Sequence, residues 1–570
     1  MEKRAVFALV LCGLLFLAFS YFNQKVQPPH PEKPGEAKPA AQALAPPPAP
    51  AETPAARKPA SLPSRAPAPS SPTRTVAVDT PLYKAVFTDR GAQLTQLELK
   101  NYWEAMPFTP ITGFSLGPVG FEVMRYQDPK KAQTPLKELV RVPPGQEFPL
   151  GLSWQDEPLT QVSFEVSPGN LTLKPGETAT LKFTGVGPGG LRFTKTYTFH
   201  ADTYRIDLAV SVSNPTAQPQ KGNLDLFLTG SHGAPKDGPS AAWVLIGSLN
   251  GALDKNLKDI KAGSLKEPKA VPGKVDWAAL EDGYFLTAVA PLNAPNTQLL
   301  VKAPPDPAGF LGAILTTPVA SLPPGQEAKL DYAVYFGPKD LDRLKAINLG
   351  LDQTVDFGWF SIMAKPMLQL LKFFNRFFHN YGWSIIALTV LIRLIFLWPN
   401  HKSYKSMKDM QKLQPRVAEL REKYKNDKEA MNRELMALYR TFKVNPLGGC
   451  LPMVLQLPVF IALYNVLAYA IEVRHATFLA TLPFTDIVWL ADLSTKDPLL
   501  ITPIIMGATM FIQQKMSPAP GDPTQAKMMM FLPLVFTFMF LNFASGLVLY
   551  WLVNNVLSIA QQHYTNKYLI

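Results

Sequence analysis

Residues 384–399 read SIIALTVLIRLIFLWP, an apolar run that nearly spans a bilayer and carries one cation, Arg393. A stretch of this length and hydropathy identifies a membrane segment. An arginine inside it is unfavourable by a few kcal/mol on insertion scales of about 2.5–3.5 kcal/mol, so it needs a polar cavity, a partner or a route to the headgroups. Snorkelling is one such route. Arg393 lies six residues before Pro399, about 9 Å along a helix from the end of the run. A hydrated groove is the other, and the composition around it favours that reading. The interiors of the remaining apolar runs hold no Asp or Glu. They do offer Thr389 one turn earlier and Gln456, Asn465, Gln513, Gln514, Asn554 and Asn555 elsewhere. An unpaired cation in such a groove attracts acidic or polar segments passing through.

Working outward, apolar spans are expected as transmembrane helices at 381–400, 447–472, 498–516, 528–543 and 547–563, separated by loops at 473–497 and 517–527 and followed by a short tail, 564–570. Residues 1–25 place Lys3 and Arg4 before a further run and are expected to be an uncleaved anchor, which makes six spans. The segment 401–446 holds twelve Lys and Arg, whereas 474–498 holds only Arg474 and Lys496, so the first loop is expected in the cytoplasm and the second outside. Both termini then fall in the cytoplasm. Inside 401–446, Met407, Met410, Leu413, Val417, Leu420 and Tyr424 recur at helical spacing. After the KND break, Met431, Leu435, Leu438 and Phe442 repeat it, which predicts an antiparallel helical hairpin. Lys412, Arg416, Arg421, Lys423, Lys425 and Lys428 give that hairpin a basic surface suited to ribosomal RNA or anionic headgroups. The same charges also serve topology alone.

Residues 26–74 are Pro- and Ala-rich and predict an extended linker. From 75 to 355, period-2 runs such as TVAVDT, YKAVFTDRG, QLTQLELKNY and KLDYAVYFG predict a large extracytoplasmic antiparallel β-sandwich. Its Asp, Glu and His residues show no paired spacing that would support catalysis. Residues 356–380 contain a predicted amphipathic helix, with Met363, Met367, Leu370, Leu371, Phe374, Phe377 and Phe378 on one face and Gln369, Lys372 and Arg376 around the other. Such a helix lies along a membrane surface. Cys12 and Cys450 fall in different membrane segments, which argues against a structural disulfide, and no Cys/His cluster has metal spacing. No cofactor and no catalytic residue is expected.

The order of parts, together with NPLGGCLPMVLQLPVFIALYNVL, ITPIIMGATMFIQQKMSP, ASGLVLYWLVNN and SIIALTVLIRLIFLWP, resembles the YidC family of membrane protein insertases of Gram-negative bacteria. The resemblance implies a polytopic helical protein of the inner membrane with a five-helix insertase core and a periplasmic β-sandwich. It implies that Arg393 sits in a hydrophilic groove open to cytoplasm and lipid, that Thr389 lines it, and that Tyr550 and Trp551 meet the incoming transmembrane segment; Gln456 joins them as a groove residue. Nascent membrane proteins, the Sec translocon, the ribosome or signal recognition particle system and the lipid bilayer are the implied partners. Family members often end in a basic tail, whereas this sequence stops at QQHYTNKYLI. The basic hairpin is therefore the expected ribosome contact. A secondary transporter or channel using Arg393 is the alternative from another class, although no inverted repeat or carboxylate relay is visible. An outer-domain enzyme acting on envelope polysaccharide would need paired carboxylates.

Overall fold

A computed structural model describes residues 73–116, 119–142, 145–231, 243–247, 258–261, 268–271, 275–294, 296–302, 310–442, 444, 451–516 and 523–569. The expected anchor 1–25, the linker to residue 72, Cys12 and Cys450 lie outside the described residues. Alternation of apolar and polar side chains builds the β-domain. Along Arg192–His200 and Arg205–Ser213 every second residue is buried. Those two strands sit in a nine-stranded sheet ordered Lys258–Lys261, Trp243–Gly247, Trp277–Glu281, Phe285–Pro291, Glu327–Pro338, Arg205–Ser213, Arg192–His200, Thr178–Val186, Glu165–Ser167. It packs on two smaller sheets. Phe87 of the five-stranded sheet stands 4.7 Å from the Tyr197 ring, and Trp154 of the six-stranded sheet stands 6.1 Å from Phe193. The β-sandwich expected from the period-2 runs is present, and among the described residues the strand pairings are antiparallel except Thr75–Asp79 beside Leu171–Thr172.

Ten α-helices follow among the described residues: α1 Leu341–Ile347, α2 Ser361–Phe378, α3 Tyr381–Ile395, α4 Leu397–Lys412, α5 Gln414–Lys423, α6 Lys428–Thr441, α7 Leu451–Tyr469, α8 Ile501–Met516, α9 Pro523–Phe540 and α10 Ser545–Tyr564. No single described helix is both long and apolar enough to cross a membrane alone; α3 and α4 pass together, bent by 61°. The expected continuous span 381–400 is thus broken after Ile395. Pro399 lacks an N–H and its ring conflicts with the carbonyl four residues back, that of Ile395. Pro415 divides the first arm of the expected hairpin in the same way, between α4 and α5. The two arms then meet where the guanidinium of Arg416 covers the Phe442 ring at 4.7 Å.

Helix α2 forms where the amphipathic pattern placed it, with its faces divided differently. Ala364, Met367, Leu368 and Leu371 are buried, while Leu370, Phe373, Phe377 and Phe378 are exposed. Lys372 is not on an open polar margin. Its ammonium reaches Asp342 at 2.7 Å, Glu472 at 3.0 Å and Asp340 at 3.5 Å, because the N-terminus of α1 and the chain beyond α7 come together over it. Burial opposes its charge, but Glu472, Asp342 and Asp340 outweigh that and hold the ammonium above its ordinary pKa. A second strut is Arg474, which donates to the carbonyls of Trp103 and Glu104 at 3.0 Å each and covers the Phe285 ring at 5.2 Å. Tyr284 adds a hydrogen bond to the Ala468 carbonyl at 2.9 Å. The loop beyond α7 forms a short hairpin, Leu479–Thr481 with Val488–Leu490, and the edge strand Val119–Arg125 of the β-domain joins it. Tyr126 N donates to Asp486 O and Glu122 N to Pro498 O, both at 2.8 Å.

Candidate functional site

The Asn380 side chain starts α3 by accepting from Trp383 N at 3.2 Å, and the helix then carries Thr389 and Arg393 one turn apart. Thr389 is buried and its hydroxyl donates to the Ile385 carbonyl at 2.6 Å, so what it presents to neighbours is an oxygen acceptor. Arg393 is half-buried. Its Nη2 donates to the Tyr404 hydroxyl at 3.1 Å, its Nε is buried with no partner among the described residues, and no described carboxylate pairs with it. Tyr404 lies on α4, across the 61° bend. The phenol is neutral, so it satisfies one N–H without cancelling the charge.

Tyr550 of α10 is fully buried and accepts a hydrogen bond from Gln456 Nε2 of α7. Arg393 with Tyr404 and Gln456 with Tyr550 are two polar pairs within the bundle of apolar helices. Trp551, next in sequence, points into a different environment: its ring meets Phe460 at 4.8 Å and Phe540 at 5.2 Å, and its buried Nε1 has no partner among the described residues. The other amides expected near the groove divide. Asn555 reaches Thr509 at 3.3 Å and ties α10 to α8, whereas Asn465 donates to the Phe357 carbonyl at 2.7 Å, next to the β-domain. Tyr404 was missing from the sequence reading. It stands eleven residues from Arg393, a spacing that no straight helix brings together, and only the bend at Pro399 signals it.

On the hairpin, Lys412 pairs with Asp409 at 3.2 Å, Lys423 covers Tyr424 at 5.4 Å, and Lys425 is exposed. Arg421 is half-buried, and the Lys428 side chain lies outside the described residues. Asp427 begins α6 by accepting from Glu429 N and Ala430 N at 3.1 and 2.9 Å. Among the described residues no group of three or more His, Cys, Asp or Glu could hold a metal.

A β-sandwich joined by charged contacts to a bundle of apolar helices, with an arginine in that bundle whose partner among the described residues is a phenol, has the form of a membrane-embedded helical protein with a large extramembrane domain. Family comparisons specify it further. Residues 119–370 match the YidC periplasmic domain and residues 373–570 the 60Kd inner membrane protein family. The chain is similar to the membrane protein insertase YidC of Geotalea uraniireducens (strain Rf4), 43% identical over 100% of this chain and 99% of the relative. It is also similar to that of Syntrophus aciditrophicus (strain SB), 41% identical over 100% of both. A solved active YidC insertase with its first transmembrane domain resolved aligns at 18% identity over 88% of this chain and 94% of that one, with a TM-score of 0.34. The chain belongs to the YidC family of membrane protein insertases, inner-membrane proteins with a periplasmic domain. Its work is insertion of membrane proteins, which is not enzymatic.

Proposed function

We propose that this insertase receives the hydrophilic tail or loop of a nascent membrane protein at Arg393 and releases the adjoining apolar segment sideways into lipid. The observation that carries this reading is the arginine's partner. Arg393 has a neutral phenol at 3.1 Å and no carboxylate among the described residues, so its charge remains available to a client's acidic or polar groups. A client carboxylate displaces Tyr404 because a charge-assisted hydrogen bond is stronger than one to a neutral hydroxyl. No covalent bond forms, and hydrophobic partitioning drives the apolar segment into the bilayer. Thr389, Gln456, Tyr550 and Trp551 complete the groove, with Gln456 and Tyr550 braced against each other until a client separates them.

The reading includes six spans, counting the anchor at 1–25 and treating α3 with the start of α4 as one broken span. Both termini and the α5–α6 hairpin are cytoplasmic, the domain at 75–355 is periplasmic, and α2 lies at the outer interface. Exposed Phe373, Phe377 and Phe378 support the last placement. Lys412, Arg416, Arg421, Lys423, Lys425 and Lys428 face the ribosome, the signal recognition particle system or anionic lipid, and the Sec translocon is a further partner.

The test is protease protection of a short, newly synthesised membrane protein in liposomes containing only this purified protein. Wild type yields inserted product above empty liposomes, Arg393→Lys retains most of it, and Arg393→Ala lowers it at least several-fold for clients with acidic tails. Wild-type activity with an indifferent Arg393→Ala would remove the arginine from the mechanism. Solute or ion flux that tracks Arg393 without insertion would support the transporter or channel instead.

A further inference from the structure

A second feature lies between α8 and α9, and none of the groups around Arg393 lines it. An open apolar cavity of about 470 Å³ runs there between Ile504, Ala508 and Phe511 on one side and Leu534 and Thr537 on the other. Its volume falls within the range of about 300–1,000 Å³ usual for small-molecule sites. The helices touch at its floor, where a Cβ on Gly507 would come within 2.0 Å of Thr537 Oγ1, so only glycine permits this approach. The Thr537 hydroxyl donates to the Pro533 carbonyl at 2.7 Å, which leaves the floor without a free donor. Ile504, Phe511 and Leu534 are 57%, 37% and 55% exposed along the walls. At one end the exposed Lys515 ammonium stands 4.8 Å from the centroid of the Phe511 ring.

Length and charge identify the occupant. From Lys515 to Ile504 is eleven residues, about 16 Å along a helix, and one leaflet contributes about half of a hydrocarbon core of about 30 Å. A client's transmembrane helix needs the full thickness. A single acyl chain needs only the half, and its anionic phosphate would then lie at Lys515. We propose that this cavity holds one acyl chain of an anionic phospholipid from the leaflet on the Lys515 side. This is the cytoplasmic leaflet under the orientation proposed above, on which that assignment rests.

The experiment uses the full chain reconstituted in equal parts phosphatidylglycerol and phosphatidylcholine, extracted in mild detergent and weighed intact by native mass spectrometry. Wild type retains one phosphatidylglycerol in preference to phosphatidylcholine. Lys515→Gln lowers that preference about fivefold, the scale of one basic residue at an anionic surface. Ala508→Trp fills the cavity from an exposed position and loses the retained lipid while its thermal unfolding stays as in wild type. Equal retention of both lipids by wild type, or undiminished retention by Ala508→Trp, overturns the proposal. So does a photo-crosslinker at position 534 that labels the apolar segment of an arrested client instead of lipid. Retention is read without any client, so failure of the liposome insertion assay leaves this result standing. An active insertase that retains no lipid removes this inference alone.

Discussion

Arg393 was legible in the sequence because a cation in an apolar run is conspicuous. Its partner was not legible. Tyr404 approaches only because Pro399 breaks the chain between α3 and α4, and the expected unpaired cation turns out to have one neutral contact. That contact can be measured by a double-mutant cycle on Arg393→Met and Tyr404→Phe. Hydrogen bonds between side chains in membrane proteins average about 0.6 kcal/mol and reach about 1.7 kcal/mol, and a charged donor belongs at the upper end. Coupling of about 1–2 kcal/mol in reversible unfolding is expected. A value near zero would mean that the two side chains do not meet in the bilayer, and the exchange of phenol for client carboxylate would lose its starting point. Thr389 and Trp551 carry a related lesson. Spacing put Thr389 beside Arg393 and the family resemblance put Trp551 at the groove. The Thr389 hydroxyl donates within its own helix and the Trp551 ring packs among aromatic rings, details that sequence position does not set because it fixes a helix face but not the rotamer or the neighbour.

At the scale of elements, period-2 alternation revealed the strands, and the 3.6-residue period revealed α2, α5 and α6. Neither period reports which elements touch. The face of α2 was therefore assigned by hydropathy alone, and Lys372 was given to the polar margin although Asp340, Asp342 and Glu472 enclose it. The loop after α7 was read as a connection, yet it carries the contacts that hold the β-domain. Within it His475 is buried, 3.9 Å from Asp492, and its pKa is depressed to about 3 by burial first, then by Arg474 and Lys137. The sign follows from linkage. Unfolded histidine takes a proton below about pH 6.5 while the folded one stays neutral, so the unfolded state binds more protons and stability falls as pH drops from about 6.5 towards 3. At pH 5 the loss amounts to about 2 kcal/mol relative to pH 8. Unfolding followed over this range should show that slope in wild type and a flatter profile in His475→Gln. Identical profiles would mean that His475 is hydrated and titrates normally.

Across the whole molecule, the β-domain and the helices are fastened by charged struts at separate places: Lys372 to Asp340, Asp342 and Glu472, and Arg474 to Trp103 and Glu104. The Glu472 side chain is only 8% exposed, so removing Lys372 leaves a buried carboxylate without its cation. Loss of one partner of such a pair typically destabilises by about 3–5 kcal/mol. Replacing the whole set by apolar groups would be far less harmful, because the desolvation of every charge disappears with it. This asymmetry separates a fastening role from a mere contribution to packing. Lys372→Met should lower the unfolding temperature markedly, and Lys372→Met with Glu472→Leu should recover a large part of the loss. If the struts join the two halves into one cooperative unit, wild type unfolds in a single calorimetric transition, and Lys372→Met combined with Arg474→Ala resolves it into two. A single transition in the double variant would show that the remaining contacts, Tyr284 to Ala468, Asn465 to Phe357 and the Tyr126 and Glu122 backbone pairing with the 486–498 loop, suffice to couple them. Two transitions already in wild type would show that the periplasmic domain and the helical bundle are independent, and that insertion does not draw on the β-domain for its rigidity.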